Sequence, residues 1–307
     1  LRMGLAIAIL KYNPFWIPLE KYKVSDVLPK MMGKHAYKIL WEPLLFRKFG
    51  IFSKDISLAW FWARIKKRTP SLAYPKGGFL KFANALVSRI KKKKGKVLFN
   101  NQVKQIIVRK NGKVMVDKQM FDKAIVTLPS FFFTQIAPQL PQNYKEKLLS
   151  LKGLGAINLV LRLKKPFFKD GTYWLNICGS KYPVMGIIEH TNFMNKKYYN
   201  NEHLVYLGNY LPHDHPFMKM DKNDLLKIYD PILKKINKDY ASNIIETHLF
   251  SVPFAQPIIP TNYSKILPPF KTPLKNVYLA NIQQVYPWDR GTNYAVELGE
   301  KIADIIL

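Results

Sequence analysis

The stretch Val277-Tyr278-Leu279-Ala280, followed by Val285-Tyr286-Pro287-Trp288-Asp289-Arg290-Gly291 and Thr292-Asn293-Tyr294-Ala295-Val296, decides how this chain is read. Four apolar residues predict a short buried strand. A loop through Pro287 then leads to a helix from about Thr292 to Ile306. A strand that feeds a loop onto a helix N-terminus makes an anion site, because the first backbone N–H groups lack internal partners and the helix dipole adds positive potential. Gly291 permits a ligand to come close to the backbone. Thr292 also reads as an ordinary N-cap, so these residues alone fit a plain helix start as well as a ligand seat.

Working upstream, Tyr74-Pro75-Lys76-Gly77-Gly78 is a turn that opens an amphipathic helix, Phe79 to Ile90, stopped by Lys91 to Lys94 and Gly95. Short strands are predicted at Lys96–Phe99, Val103–Arg109, Val114–Val116 and Lys123–Leu128, with a hairpin turn at Asn111-Gly112 and a stop at Pro129. Residues 145–152 read as helical. Alternation predicts strands at Ala156–Leu163, Tyr173–Ile177, Val184–Glu189, Leu204–Tyr210 and Thr247–Ser251. Asp221–Tyr240 reads as helical with a break or kink at Pro231, and the proline-rich Pro253–Pro273 as extended loop. The first 70 residues read as mostly helical, with Ser25-Asp26 as a helix start and Met31 to Phe49 as a helix interrupted at Pro43. The fold class is therefore mixed α/β.

The chain has 307 residues, 48% of them hydrophobic, which excludes intrinsic disorder. One cysteine, Cys178, excludes a disulfide framework and a cysteine-based zinc site, and suits a reducing compartment. The apolar run Leu5 to Leu10 is far below the ~20 residues that span a bilayer. A net charge of +29 implies either anionic partners or a lysine-rich composition that decorates every solvated face. The positive charge is spread along the chain, unlike a dedicated nucleic-acid module.

Glu189 and His190 are the acid–base candidates. Neighbours on a strand point to opposite faces, so only one of them reaches a common site unless the strand ends there. His190 also fits a structural histidine. His213 and His215 lack a third ligand at a recognisable spacing, so no metal is expected. Tyr173, Trp174, Tyr206 and Tyr210 fit either the lining of an apolar tunnel or sheet packing.

The 277–296 stretch resembles the C-terminal flavin motif of the FAD-dependent amine oxidase superfamily, which includes protoporphyrinogen oxidases and phytoene desaturases. Tyr74-Pro75-Lys76-Gly77-Gly78 resembles its Gly-Gly turn, Val103 its adenine-side valine, and Ala124-Ile125-Val126-Thr127-Leu128-Pro129 the strand end that returns to the cofactor. Leu40-Trp41-Glu42-Pro43-Leu44-Leu45, Lys48-Phe49-Gly50, Ile188-Glu189-His190-Thr191-Asn192, Tyr206-Leu207-Gly208-Asn209-Tyr210 and Ala255-Gln256-Pro257 resemble a bacterial oxidoreductase subgroup. The resemblance implies FAD as cofactor, contacted by Gly77, Gly78, Val103, Thr127, Pro129, Asp289, Arg290, Gly291, Thr292, Asn293, Tyr294 and Ala295. Arg290 would face the flavin or pair with Asp289.

It further implies a Rossmann-like FAD-binding domain, interleaved with a mixed-sheet substrate domain and a helical subdomain. The expected division is a helical, substrate- and membrane-facing part at 1–72, FAD-binding parts at 73–140 and 271–307, and the substrate domain at 141–270. Two departures stand out. No G-x-G-x-x-G turn occurs, so the chain, which opens at Leu1, reads as lacking the N-terminal nucleotide-binding unit. Asn158 stands where amine-oxidising members carry a lysine, which favours dehydrogenation of a carbon skeleton. The implied function is hydride transfer from a lipophilic substrate, an isoprenoid or a tetrapyrrole, to flavin. The implied location is the cytoplasm, with peripheral contact at an anionic inner membrane surface. A non-catalytic basic relic that binds lipid or nucleic acid is the alternative, as is a flavin-dependent mutase or isomerase.

Overall fold

Helix formation in the first third follows apolar spacing, and its punctuation differs from the proline-based expectation. In the computed structural model, which describes residues 1–179 and 181–307, α1 (Arg2–Tyr12) and α2 (Val24–Met32) are followed by a break at Gly33, held at φ +95°. The short α3 (Lys34–Ala36) then runs through a π-helical turn, Tyr37–Trp41, directly into α4 (Glu42–Phe49). Pro43 therefore does not interrupt the helix. It lies directly after the π-helical turn, where the change in hydrogen-bond register lets the helical backbone pass a residue without an N–H. Ser57 caps α5 (Leu58–Lys66) by accepting from the Ala59 N–H at 3.2 Å. Leu28, Phe49, Ile56, Phe61 and Trp62 form the core of this layer, together with Ile258, Ile259 and Tyr263 from the other end of the chain.

Gly77 and Gly78, at φ +86° and +81°, turn the chain into α6 (Gly78–Lys92). Positive φ at two successive positions is where glycine is required. The apolar stripe of α6 is as predicted, yet none of its residues is buried, and Leu80 is 74% exposed. Lys96–Phe99, expected as a strand, lies outside the described strands with Leu98 and Phe99 exposed. A strand needs a neighbour to complete its backbone hydrogen bonds, and the described residues supply none there. β1 (Ile106–Val108), β2 (Val114–Val116) and β3 (Gln119–Phe121) form a small antiparallel meander. β4 (Ala124–Val126) follows, then α7 (Ser130–Ile136) and α8 (Gln142–Ser150).

The larger sheet has the order β6-β7-β8-β5-β9. Its strands are β5 (Gly153–Leu163), β6 (Trp174–Asn176), β7 (Gly186–Glu189), β8 (His203–Leu211) and β9 (Ile244–Pro257), all antiparallel. α9 (Lys222–Ile236) covers one face, burying Leu225, Tyr229 and Leu233 against Ile157, Leu159, Leu161, Val205 and Leu207. Asp221 caps α9 through the N–H groups of Asn223 and Asp224, and the helix continues past Pro231. The expectation of loop from Pro253 onward also fails at its start. Pro253 and Pro257 belong to β9, an edge strand, where one side needs no ladder donor. After α10 (Tyr263–Ile266), β10 (Val277–Leu279) pairs parallel with β4, and α11 (Thr292–Ile306) closes the chain at the bounds read from sequence.

Candidate functional site

β4 and β10 run side by side in the same direction, with Val126 opposite Leu279, and both end at one cleft. The cleft has a volume of about 570 Å³ and is lined by Thr127, Ala280, Asn281, Arg290, Gly291 and Thr292, among others. Asn281 fastens the two strand ends together. Its Nδ2 donates to the Leu128 carbonyl at 2.9 Å, and its Oδ1 accepts from the Gln283 N–H at 3.0 Å. Buried Gln283 extends the floor by donating to the Leu151 carbonyl at 3.1 Å and accepting from the Ser130 N–H at 2.9 Å.

The helix over the cleft begins without a side-chain cap. Its N-cap is Gly291 rather than Thr292, and the first intrahelical bond runs from the Ala295 N–H to the Gly291 carbonyl at 3.0 Å. The N–H groups of Thr292, Asn293 and Tyr294 are therefore left over at the positive end of the helix dipole. A Cβ at Gly291 would come within 2.8 Å of Asn293 Oδ1, so a larger residue there would crowd the helix start.

The loop before this helix is held from three sides. The Tyr286 hydroxyl donates to buried Glu20 Oε2 at 3.0 Å. Asp289 accepts from the Trp60 indole at 3.3 Å and pairs with Arg64, both on α5. Burial pushes the Asp289 carboxyl up, but Lys48, Arg64, Arg290 and the Trp60 indole outweigh this and hold it below the usual carboxylate value. Arg290 lines the cleft but makes no ion pair with Asp289 among the described residues. Its Nε donates to the Ala255 carbonyl at 2.7 Å, its Nη2 bonds the Tyr210 hydroxyl, and its guanidinium lies 5.0 Å from the centre of the Tyr210 ring. Lys48 of α4 faces the same cluster, and burial pulls its amine down to about 7, against the attraction of Asp289.

Across the larger sheet, Glu189 and His190 have different environments. Glu189 is fully buried and shares the α9 side of β7 with Ile187. Its carboxylate accepts from the N–H groups of Phe167 and Phe168 and from Asn192 Nδ2, and bonds His203 Nδ1 at 3.1 Å. Every oxygen thus serves the turn before β6 and the start of β8. His190 lies just past the end of β7, its Nε2 2.7 Å from the Tyr199 hydroxyl and its ring packed on Tyr74 and Tyr206. Burial lowers its pKa.

Residues 35–307 match the sequence profile of the flavin containing amine oxidoreductase family. The chain belongs to this family. The family brings with it FAD as the cofactor and redox chemistry as the general activity. Three solved structures share the fold. An oxidoreductase from Methanosarcina mazei is 15% identical with a TM-score of 0.68, the match covering 98% of this chain and 72% of that one. Cyclohexylamine oxidase from Brevibacterium oxydans is 13% identical with a TM-score of 0.69, covering 99% and 73%. A reduced UDP-galactopyranose mutase is 12% identical with a TM-score of 0.61, covering 86% and 60%. No curated protein sequence matches the chain.

The residues at the cleft of this oxidoreductase fit a flavin. Three unpartnered helix N–H groups, a side-chain-free Gly291 and a fastened pair of strand ends are what a flat, partly anionic group needs. Of the residues expected around the cofactor, Thr127, Arg290, Gly291, Thr292 and Ala295 line this cleft. Tyr294 stacks on Trp288, and Asn293 is exposed at the helix start. Pro129 caps α7, and Val103 packs against the small core of β1, β2 and β4. Gly77 and Gly78 shape the turn after Tyr74, which touches His190. Asn158, on β5 opposite Gly208, leaves its buried Oδ1 without a hydrogen-bond partner among the described residues.

Sequence reasoning missed Lys48, Tyr74 and Tyr199. Lys48 had a signal: it lies three residues after Leu45 and next to Phe49, both buried, on the apolar stripe of an amphipathic helix. Tyr74 and Tyr199 reach His190 only through the fold. Among the described residues no group of acidic, histidine or cysteine side chains could hold a metal, and no helix is long and apolar enough to cross a membrane.

Proposed function

We propose that the chain acts as an FAD-dependent oxidoreductase that dehydrogenates a lipophilic substrate, of the isoprenoid or tetrapyrrole kind. The observation that carries this reading is the uncapped start of α11 opening onto the cleft at the ends of β4 and β10. When bound at this cleft, flavin would supply the redox chemistry as a hydride acceptor. The N–H groups of Thr292, Asn293 and Tyr294 hold negative charge at that position, and preset donors do so without reorganising. His190 is the proton acceptor: burial keeps it neutral near neutral pH, and the Tyr199 hydroxyl fixes its Nε2. Glu189 is committed to the hydrogen bonds that hold the sheet in register. Tyr206 and Tyr210, on the sheet face opposite α9, offer an apolar wall. Asn158, in place of a lysine, supports oxidation of a carbon skeleton over oxidation of an amine. The charge of +29 and the exposed Leu5, Ile9, Leu80 and Leu86 support peripheral contact with an anionic leaflet, worth ~1 kcal/mol per well-placed Lys or Arg.

Titration of the purified protein with FAD tests this reading. The expected result is a bound-flavin absorption spectrum, with affinity about tenfold weaker in Gly291→Val, whose side chain crowds the helix start. A folded protein that leaves excess FAD free overturns it. The membrane contact is tested by sedimentation with anionic vesicles at low salt, and fails if the protein stays in the supernatant.

A further inference from the structure

We propose that Lys48 and Arg290 together receive a carboxylate group carried by the substrate, with the ring of Tyr210 walling the apolar part beside it. This rests on the oxidoreductase reading above and narrows its substrate to a lipophilic carboxylic acid.

The first support is a count of charge. Lys48, Arg64 and Arg290 gather around a single carboxylate, Asp289. Asp289 is already held on both oxygens, Oδ1 by the Trp60 indole and Oδ2 by Arg64. Arg290 uses Nε on the Ala255 carbonyl and Nη2 on the Tyr210 hydroxyl. Lys48 Nζ and Arg290 Nη1 remain without a hydrogen-bond partner among the described residues. These two donors are free to meet an arriving anion, and two of them on one carboxylate make a charge-assisted pair.

The second support is position. Lys48 Nζ lies 5.1 Å from the centre of the Tyr210 ring, and the Arg290 guanidinium carbon lies 5.0 Å from the same centre. The two cations flank one ring, and Arg290 also lines the cleft at the start of α11. Lys48 Nζ is 5.7 Å from the rings of both Phe49 and Trp60. A charged donor pair beside the partly exposed Tyr210 ring suits an acid group on an apolar body.

The third support is protonation. The groups that face Lys48 are Arg64 on α5, Asp289 and Arg290 on the loop, and Tyr210 on β8. The Lys48 amine is lowered to about 7, chiefly by burial and in part by Arg64 and Arg290, against the opposing attraction of Asp289. At pH 8 the amine is mostly neutral. A bound carboxylate favours the ammonium form, so binding draws a proton from solution.

Calorimetric titration with 4-phenylbutyrate at pH 8, in HEPES and in Tris, with and without FAD, tests the proposal. The two buffers differ in ionisation enthalpy, so the difference in heat gives the protons taken up. The expected result is binding with uptake of close to one proton, and none for the neutral 4-phenylbutanol. Lys48→Met should weaken binding about tenfold or more and abolish the uptake. Lys48→Arg keeps the charge but cannot release it, so it should bind the acid without proton uptake, which separates this role from a folding defect. Absence of binding, equal binding of the alcohol or of inorganic phosphate, or unchanged uptake in both variants overturns the proposal. Failure of the flavin reading shows separately, as FAD left free while the heats are still measured.

Discussion

The five-stranded sheet under α9 and the helix α6 carry the same kind of sequence signal and meet different fates. On β5, Leu159 and Leu161 alternate inward and are fully buried beneath Leu225 and Leu233. On α6, Phe79, Leu80, Leu86 and Ile90 repeat at helical spacing and are all exposed. An apolar stripe thus specifies a surface that is meant to be covered, and burial follows only where a complementary surface stands opposite. The sheet finds that surface within the described residues, and α6 does not. Local stability should divide along the same line, because apolar burial supplies most of the free energy that opposes chain entropy.

The sharpest way to break this contrast is a pair of truncations. Leu161→Ala should cost about 2–5 kcal/mol of unfolding free energy, as a large side chain is removed from a filled core. Denaturant titration reads the loss, and an effect below about 1 kcal/mol would show that the sheet is less tightly packed than its burial indicates. Glu189→Gln comes next, at about 1–3 kcal/mol, since a group holding four buried partners is replaced by one that cannot accept from all of them. Its FAD affinity should match the parent protein, and a large change there would return Glu189 to the chemistry.

The pH dependence tests the junction between the two regions. The Lys48 amine is lowered from 10.5 to about 7 in the folded protein. Below pH 7 both folded and unfolded chains hold its proton. Between about 7 and 10.5 only the unfolded chain does, so this group makes stability rise with pH in that window. The slope is at most about 1.4 kcal/mol per pH unit, and Lys48→Met should remove it. Chemical unfolding at pH 7, 8 and 9 measures the difference between the two proteins. The smallest effect is expected on α6, where Leu86→Ala should change stability by less than about 0.5 kcal/mol. Hydrogen exchange sharpens the point: amides of β5 should be the slowest to exchange and those of α6 among the fastest helical ones.

Sequence legibility followed the range of the forces involved. The bounds of α11 and the alternation of β5, β7 and β8 are local patterns, and they were readable. Lys96–Phe99 has strand-like composition, but strand formation depends on a neighbour that composition does not name. Pro43 was read as an interruption because its local cost is known, whereas the helical backbone passes it directly after a π-helical turn. At the site, the Asp289-Arg290-Gly291 run was visible as a motif, and its partners were not. Asp289 meets α5 and Arg290 meets β8 and β9 across 35 to 229 positions of sequence, and no spacing rule reports such pairs. Lys48 alone carried a local signal, a cation on an apolar stripe, and that signal was passed over.

The adjacent residues Asp289 and Arg290 also have a mechanical consequence. One hooks the helical layer through Trp60 and Arg64, and the next hooks the sheet through Ala255 and Tyr210. The clasp stands one residue from the start of α11. A tug on either layer therefore arrives at the same peptide bond, and a load placed at the helix start is shared by both. Such a joint couples the two layers at the point where the uncapped helix begins.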